Sequence, residues 1–281
     1  MASRLSSSTV DTQISASSEP FEIPKITKFK IGLCQLTVTS NKNDNVAHAR
    51  NLIEAAAKLG PSLVMLPEMW NCPYSTDYFE EFAEDFDDKD GSPSFAMLSE
   101  VALGNGITIV GGSMPERRKN QLHNTCCVFG PDGNLKAKHS KMHLFDINLP
   151  GDISFKESDT FTAGDQPTIV DTDVGRIGIG ICHDLRFPEL ATLYQARGAH
   201  LICYPGAFNM STGELLWELE QRARAADNQS SKIVATSGHE ETIVIAEVDY
   251  SKTRQLREAL PLEKQRRGDV YRLVDVHQQK P

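Results

Sequence analysis

An α/β fold with helices covering its sheets is predicted by three features of the sequence. Short apolar runs of strand length alternate with amphipathic stretches of helix length from residue 28 to residue 249. No Gly/Ser linker and no internal repeat interrupts that block, so it reads as one folding unit. The 281 residues, 40% of them hydrophobic, suffice for a sizeable core.

The elements follow in order. Residues 29–36 (FKIGLCQL) read as a buried strand, and 43–59 place Val46, Ala49, Ile53, Ala56 and Ala57 at helical spacing. Residues 63–66 are a strand halted by Pro67, which has no N–H to offer a ladder. A helix over 94–103 leads to strands at 107–112 and 124–129, the second closed by the turn Gly130-Pro131-Asp132-Gly133. Residues 168–172 and 176–182 form a hairpin around Asp173-Val174-Gly175, with Gly178 and Gly180 admitting close backbone packing. A helix at 188–197, a strand at 200–204, a helix at 215–228 and a strand at 242–249 complete the series.

Residues 1–27 are Ser/Thr-rich, poor in large apolar side chains and broken by Pro20 and Pro24, which predicts a disordered tail. Transit peptides share the serine bias but are rich in Arg and poor in acids. Here one Arg stands beside Asp11, Glu19 and Glu22, so a cytoplasmic location is expected, with a plastid or mitochondrion as the alternative. The formal charge of −9, from 29 basic and 38 acidic residues, argues against nucleic-acid or anionic-membrane partners. No window is apolar enough to span a bilayer. Six cysteines without a CxxC pair, and eight scattered histidines, argue against a disulfide scaffold and a metal site.

Three strand ends carry polar residues that packing does not explain. Glu68 follows the apolar run Leu63-Val64-Met65-Leu66-Pro67; alone, such a residue is more often a solvated loop acid than a general base. Lys141 stands in a Lys- and His-rich stretch and by itself favours surface charge. Cys182 ends a strand and opens a turn into a helix, whose N-terminus would lower the thiol pKa. A core cysteine is the competing reading, and the local sequence does not choose between them. Taken together, the three make a hydrolytic set: the carboxylate accepts the thiol proton, the ammonium stabilises an oxyanion, and the sulfur forms a thioester that water cleaves.

The order of the motifs resembles the nitrilase (carbon–nitrogen hydrolase) superfamily, and within it the ω-amidases, particularly those of plants. Those motifs are Leu66-Pro67-Glu68, Asn71-Cys72-Pro73-Tyr74, Lys141-Met142-His143-Leu144-Phe145-Asp146, Gly178-Ile179-Gly180-Ile181-Cys182 and Tyr204-Pro205-Gly206-Ala207-Phe208-Asn209-Met210. Gln221-Arg222-Ala223-Arg224-Ala225, Asp227-Asn228-Gln229 and Arg266-Arg267-Gly268-Asp269 continue the series. The resemblance implies a four-layer α-β-β-α sandwich over 28–250 with a C-terminal extension at 251–281, pairing as a homodimer, and no cofactor or metal. It implies Glu68 as general base, Lys141 as oxyanion stabiliser, Cys182 as nucleophile and Glu157 as a second active-site glutamate, with the His183 N–H facing the oxyanion. It implies a small α-keto acid amide as substrate, such as α-ketoglutaramate or α-ketosuccinamate, in a pocket of Tyr74, Arg186, Phe208 and Thr212. Arg186 suits a substrate carboxylate, and an ion pair with Asp184 or Glu189 is its alternative.

Two departures from the family stand out. His183 occupies a position where relatives carry Tyr, which leaves the backbone N–H intact. After Gln229 the chain jumps to the final strand, so strands near 230–241 are expected to be missing. That loss admits two further readings: an impaired isoform acting only as a dimerisation partner, or another carbon–nitrogen hydrolase such as a nitrilase or an N-carbamoyl amidase.

Overall fold

A computed structural model describes residues 24–88, 91–151, 153–229 and 233–276. The tail expected at 1–27 lies, up to residue 23, outside the described residues. The first part of the chain runs β1 (Lys28–Gln35), α1 (Lys42–Ala57), β2 (Leu63–Met65), α2 (Thr76–Phe82), α3 (Pro93–Asn105), β3 (Thr108–Val110), β4 (Met114–Arg118), β5 (Gln121–Phe129) and β6 (Leu135–Ser140). A small hairpin follows, β7 (Asp146–Asn148) with β8 (Ser154–Lys156). The rest is β9 (Thr168–Thr172), β10 (Gly175–Ile179), α4 (Pro188–Ala196), β11 (Leu201–Cys203), α5 (Met210–Asp227), β12 (Thr242–Asp249), α6 (Tyr250–Ala259) and α7 (Leu262–Gln265).

Two sheets form the middle of the molecule. The larger has seven strands in the order β12-β1-β2-β3-β5-β4, with β6 also on β5; the smaller is β11-β10-β9. Successive strand residues point to opposite faces, and the large sheet spends both on cores. Val64, Ile109, Cys127 and Phe129 meet Ala49 and Ile53 of α1 and Leu98 and Val101 of α3. Their neighbours Leu63, Val110, Cys126 and Val128 face Val170, Ile177, Ile179 and Cys203 of the small sheet. Leu190 and Tyr194 of α4 cover the outer face of the small sheet through Ile169 and Ile202. The result is the expected α-β-β-α order. No helix among the described residues is long and apolar enough to cross a membrane.

Gly178 and Gly180 make room for aromatic rings and not for neighbouring backbone. A Cβ on Gly178 would stand 2.7 Å from the Tyr194 ring, and one on Gly180 would stand 2.4 Å from that of Tyr204. Helix α5 begins at Met210, earlier than its apolar periodicity suggests, because the Asn209 side chain caps it by accepting from Thr212 N at 2.8 Å. Strands β4 and β6 carry charged residues that mask any strand pattern. The buried Glu116 on β4 satisfies them by pairing with Arg118 on its own strand and with Lys138 of β6.

Residues 233–241 form no strand, while 230–232 lie outside the described residues. β12 pairs along all of β1, and β11 is left at the edge of a three-stranded sheet. Helix α5, which lies beyond that sheet in sequence, has no buried residue, and its Leu215 is 74% exposed.

Candidate active site

Each of the expected catalytic groups leaves the end of a strand. Glu68 follows β2 in a turn held by Met69 N donating to Ser113 Oγ at 3.2 Å and Trp70 Nε1 donating to Gly111 O at 2.7 Å. Lys141 follows β6, with its N–H on Asn124 O at 2.8 Å. Glu157 opens a 3-10 turn, Glu157–Asp159, after β8. Cys182 opens another, Cys182–Arg186, with φ +44°, a left-handed conformation that a side chain rarely adopts. Its N–H donates to Pro205 O at 2.7 Å, which holds the bend.

These turns converge. Lys141 Nζ lies 2.8 Å from Glu68 Oε1 and 2.7 Å from Glu157 Oε2, and all three side chains are buried. The Cys182 thiol neighbours the Glu68 carboxylate, close enough for each to shift the other's titration. Ala207 N donates to Glu68 Oε2 at 3.1 Å, and Phe145 N to Glu157 Oε2 at 2.6 Å. Lys141 is therefore a single ammonium clamped between two carboxylates, one of which also neighbours the sulfur.

Charge states follow from burial and from that clamp. Burial disfavours the Lys141 ammonium, but Glu68 and Glu157 outweigh it and push its pKa up, so it stays protonated. Burial raises Glu68, opposed by Lys141 and reinforced by Glu157. Burial also raises the Cys182 thiol well above its usual range, and the nearby Glu68 charge adds to this. The expectation of a thiol acidified by a helix N-terminus is thus corrected. The 3-10 turn spans five residues, α4 does not begin until Pro188, and desolvation dominates. The sulfur rests protonated beside a carboxylate whose basicity is enhanced, an arrangement suited to base-assisted attack.

The other expected residues divide. Tyr74 joins the carboxylate cluster, its hydroxyl donating to Glu157 Oε1 at 2.8 Å while its ring packs edge-on against Phe79. Arg186 pairs with neither Asp184 nor Glu189. Its Nε donates to Glu220 Oε1 on α5 at 2.7 Å, because Asp184 is taken up by His139 and His143. Phe208 packs edge-on against Trp217, and the Thr212 hydroxyl donates to Asn209 Oδ1. Sequence reasoning missed Asn124, whose Nδ2 donates to Glu68 Oε1 at 2.9 Å and Glu157 Oε1 at 3.2 Å. The local sequence carries no signal for it, because His123 and Thr125 beside it on β5 are polar as well. Among the described residues, no group of His, Cys, Asp or Glu is placed to hold a metal ion.

His183 lies edge-on to Phe145 and Phe187, and burial followed by the Lys141 charge brings its pKa down to about 4. Its ordinary value is 6.5, so between pH 6.5 and 4 an unfolded chain takes up a proton that the native one refuses. Native stability therefore falls as pH drops through that window. His183→Tyr is expected to remove this component, and melts at pH 7 and pH 5 check it. Variant and parent losing equal stability on acidification would refute the assignment.

The carbon–nitrogen hydrolase family model matches residues 30–230. The chain is 58% identical over 285 residues to "Omega-amidase, chloroplastic" of Arabidopsis thaliana, with 92% of this chain and 77% of that one covered. It is 43% identical over 273 residues to "Omega-amidase NIT2" of Homo sapiens, with 88% and 98% covered. The crystal structure of Saccharomyces cerevisiae Nit3, a member of branch 10 of the nitrilase superfamily, superposes with a TM-score of 0.79 at 38% identity, covering 89% of this chain and 100% of that one. Both sequence alignments run longer than the stretch of this chain they cover, so these relatives carry positions that it lacks.

Proposed function

Because the chain belongs to the carbon–nitrogen hydrolase family, we propose that it is an ω-amidase releasing ammonia from the terminal amide of short α-keto acid amides. The observation that carries this is the clamp of Lys141 between Glu68 and Glu157 with Cys182 beside Glu68. The names of the two sequence relatives support the substrate class.

In this reading Cys182 Sγ attacks the amide carbonyl while Glu68 takes its proton. The oxyanion forms against the Lys141 ammonium and the His183 N–H. Glu68 returns the proton to nitrogen as the C–N bond breaks, so ammonia leaves and a thioester remains. Water, deprotonated by Glu68, attacks the thioester and frees the dicarboxylate and the thiol. Glu157, Asn124 and Tyr74 keep Lys141 and Glu68 in place throughout. Arg186 binds the far carboxylate of the substrate through the guanidinium nitrogens that Glu220 does not occupy, flanked by Phe208 and Thr212.

The test is ammonia release from α-ketoglutaramate beside a nitrile and an N-carbamoyl amino acid of similar length. The keto acid amide is expected to be preferred, and a preference for either of the others would transfer the chain to that branch. Arg186→Gln is expected to raise KM for α-ketoglutaramate about 10- to 100-fold, the worth of one charge-assisted hydrogen bond, with little change in kcat.

The assembled cluster does not favour a chain that serves only as a dimerisation partner. Pairing of two copies belongs to the proposal, supported by the exposed apolar side chains of α5, and sedimentation of the purified chain decides it. Of the three locations considered, cytoplasm, plastid and mitochondrion, the plastid gains support from the name of the Arabidopsis relative, and fractionation tests it.

A further inference from the structure

Asp184 lies two residues beyond the nucleophile and is completely buried. Each of its carboxylate oxygens accepts one backbone N–H and faces one imidazole. Oδ2 accepts from Ile181 N at 2.9 Å and lies 3.2 Å from His139 Nε2. Oδ1 accepts from His143 N at 2.9 Å and lies 2.7 Å from His143 Nδ1. Ile181 immediately precedes Cys182, whereas His139 and His143 stand two residues on either side of Lys141. One carboxylate thus binds the residue before the nucleophile and brackets the lysine.

The imidazoles are held from their far sides as well. His139 Nδ1 is 3.0 Å from Thr168 Oγ1 on β9, and the His143 ring stacks on Phe187 at 3.6 Å with 11° between planes. Burial opposes the Asp184 charge, but the hydrogen bonds from His139 and His143 overcome it and hold the carboxyl well below its ordinary range. Such a group is costly to bury unless every acceptor site is used, and here both oxygens are doubly engaged.

We propose that Asp184, acting through His139 and His143, is a positioning residue that fixes the Cys182 turn against the Lys141 turn, and so sets the sulfur-to-ammonium geometry. It touches none of the reacting atoms. The proposal rests on the amidase reading for its kinetic consequence and on the geometry alone for its effect on the thiol.

Asp184→Asn preserves shape but must turn an NH2 donor toward either Ile181 N or His143 N, because each oxygen already accepts a main-chain N–H. The test combines turnover of α-ketoglutaramate, thermal melting, and the rate at which iodoacetamide alkylates Cys182, read by peptide mass spectrometry. The variant is expected to melt cooperatively, to keep KM within about threefold and to lose about 100-fold in kcat, as sub-ångström misplacement does. Alkylation of Cys182 is expected to slow, because Glu68 no longer meets the thiol squarely.

His143→Ala and His143→Asn form a second pair. The Asn amide nitrogen stands as many bonds from the backbone as His Nδ1, so it restores the donor to Asp184 and should recover rate that Ala loses. A folded Asp184→Asn protein with unchanged kcat and unchanged alkylation overturns the proposal. So does His143→Asn performing no better than His143→Ala, and this pair decides the matter if Asp184→Asn fails to fold. If the parent chain hydrolyses no amide, the functional reading fails, while the alkylation rates still decide on Asp184.

Discussion

Cys182→Ala is expected to lower ammonia release from α-ketoglutaramate by a factor of about 10⁴ or more while leaving the melt nearly unchanged. No neighbour can replace the sulfur. The Tyr74 hydroxyl is committed to Glu157, and Lys141 is held protonated by two carboxylates. Removing one buried sulfur leaves a small void, and the φ of +44° is as unfavourable for Ala as for Cys, so the substitution neither adds nor relieves backbone strain. Ammonia assays on the two proteins side by side make the comparison. Indistinguishable rates would remove Cys182 from the mechanism, and a collapsed melt would move the effect from chemistry to folding.

Lys141→Met should harm both chemistry and stability. It deletes the one cation bonded to both Glu68 and Glu157 and leaves two buried carboxylates facing each other. Breaking a buried pair in this way costs about 3–5 kcal/mol. The loss carries a pH signature. Without the ammonium, burial and the neighbouring Glu157 raise the Glu68 pKa further, so the native state holds a proton that the unfolded state has released above its ordinary value of 4.5. Stability of the variant therefore falls as pH rises from 4.5 and recovers as pH is lowered, in the direction opposite to the His183 effect. Urea melts at pH 5.5 and pH 7.5 read it, and Glu157→Gln added to Lys141→Met should restore part of the loss. A variant as stable as its parent at pH 7.5 would show that the clamp is not the structural element described.

What the sequence reveals tracks how local the responsible physics is. β1, β12, α1 and the end of β2 are legible because their apolar periodicity is set by the cores on either side of them. β4 and β6 are not, since their charged residues are neutralised by partners that come together only in the sheet. The same holds at the site. Glu68, Lys141 and Cys182 stand out as polar residues at strand ends, but Glu157 is distinguished from a loop acid only by family resemblance. Asn124 and Asp184 have no local signature, because their importance lies in bonds to residues far away in sequence. The expected loss of strands is read from a jump between Gln229 and Thr242, yet the exposure of α5 is apparent only once the three-stranded sheet is seen beside it.

Glu68 and Lys141 leave the seven-stranded sheet, and Cys182 leaves the three-stranded one. In the proposed mechanism, catalysis therefore runs across the seam between them. The side bearing Cys182 is also the smaller sheet, three strands against seven, and marginal parts of a fold yield first. Slippage of the small sheet along Ile177, Ile179 and their partners would part sulfur from carboxylate while every helix remained intact. On that mechanism, turnover reads how firmly the two sheets are pressed together.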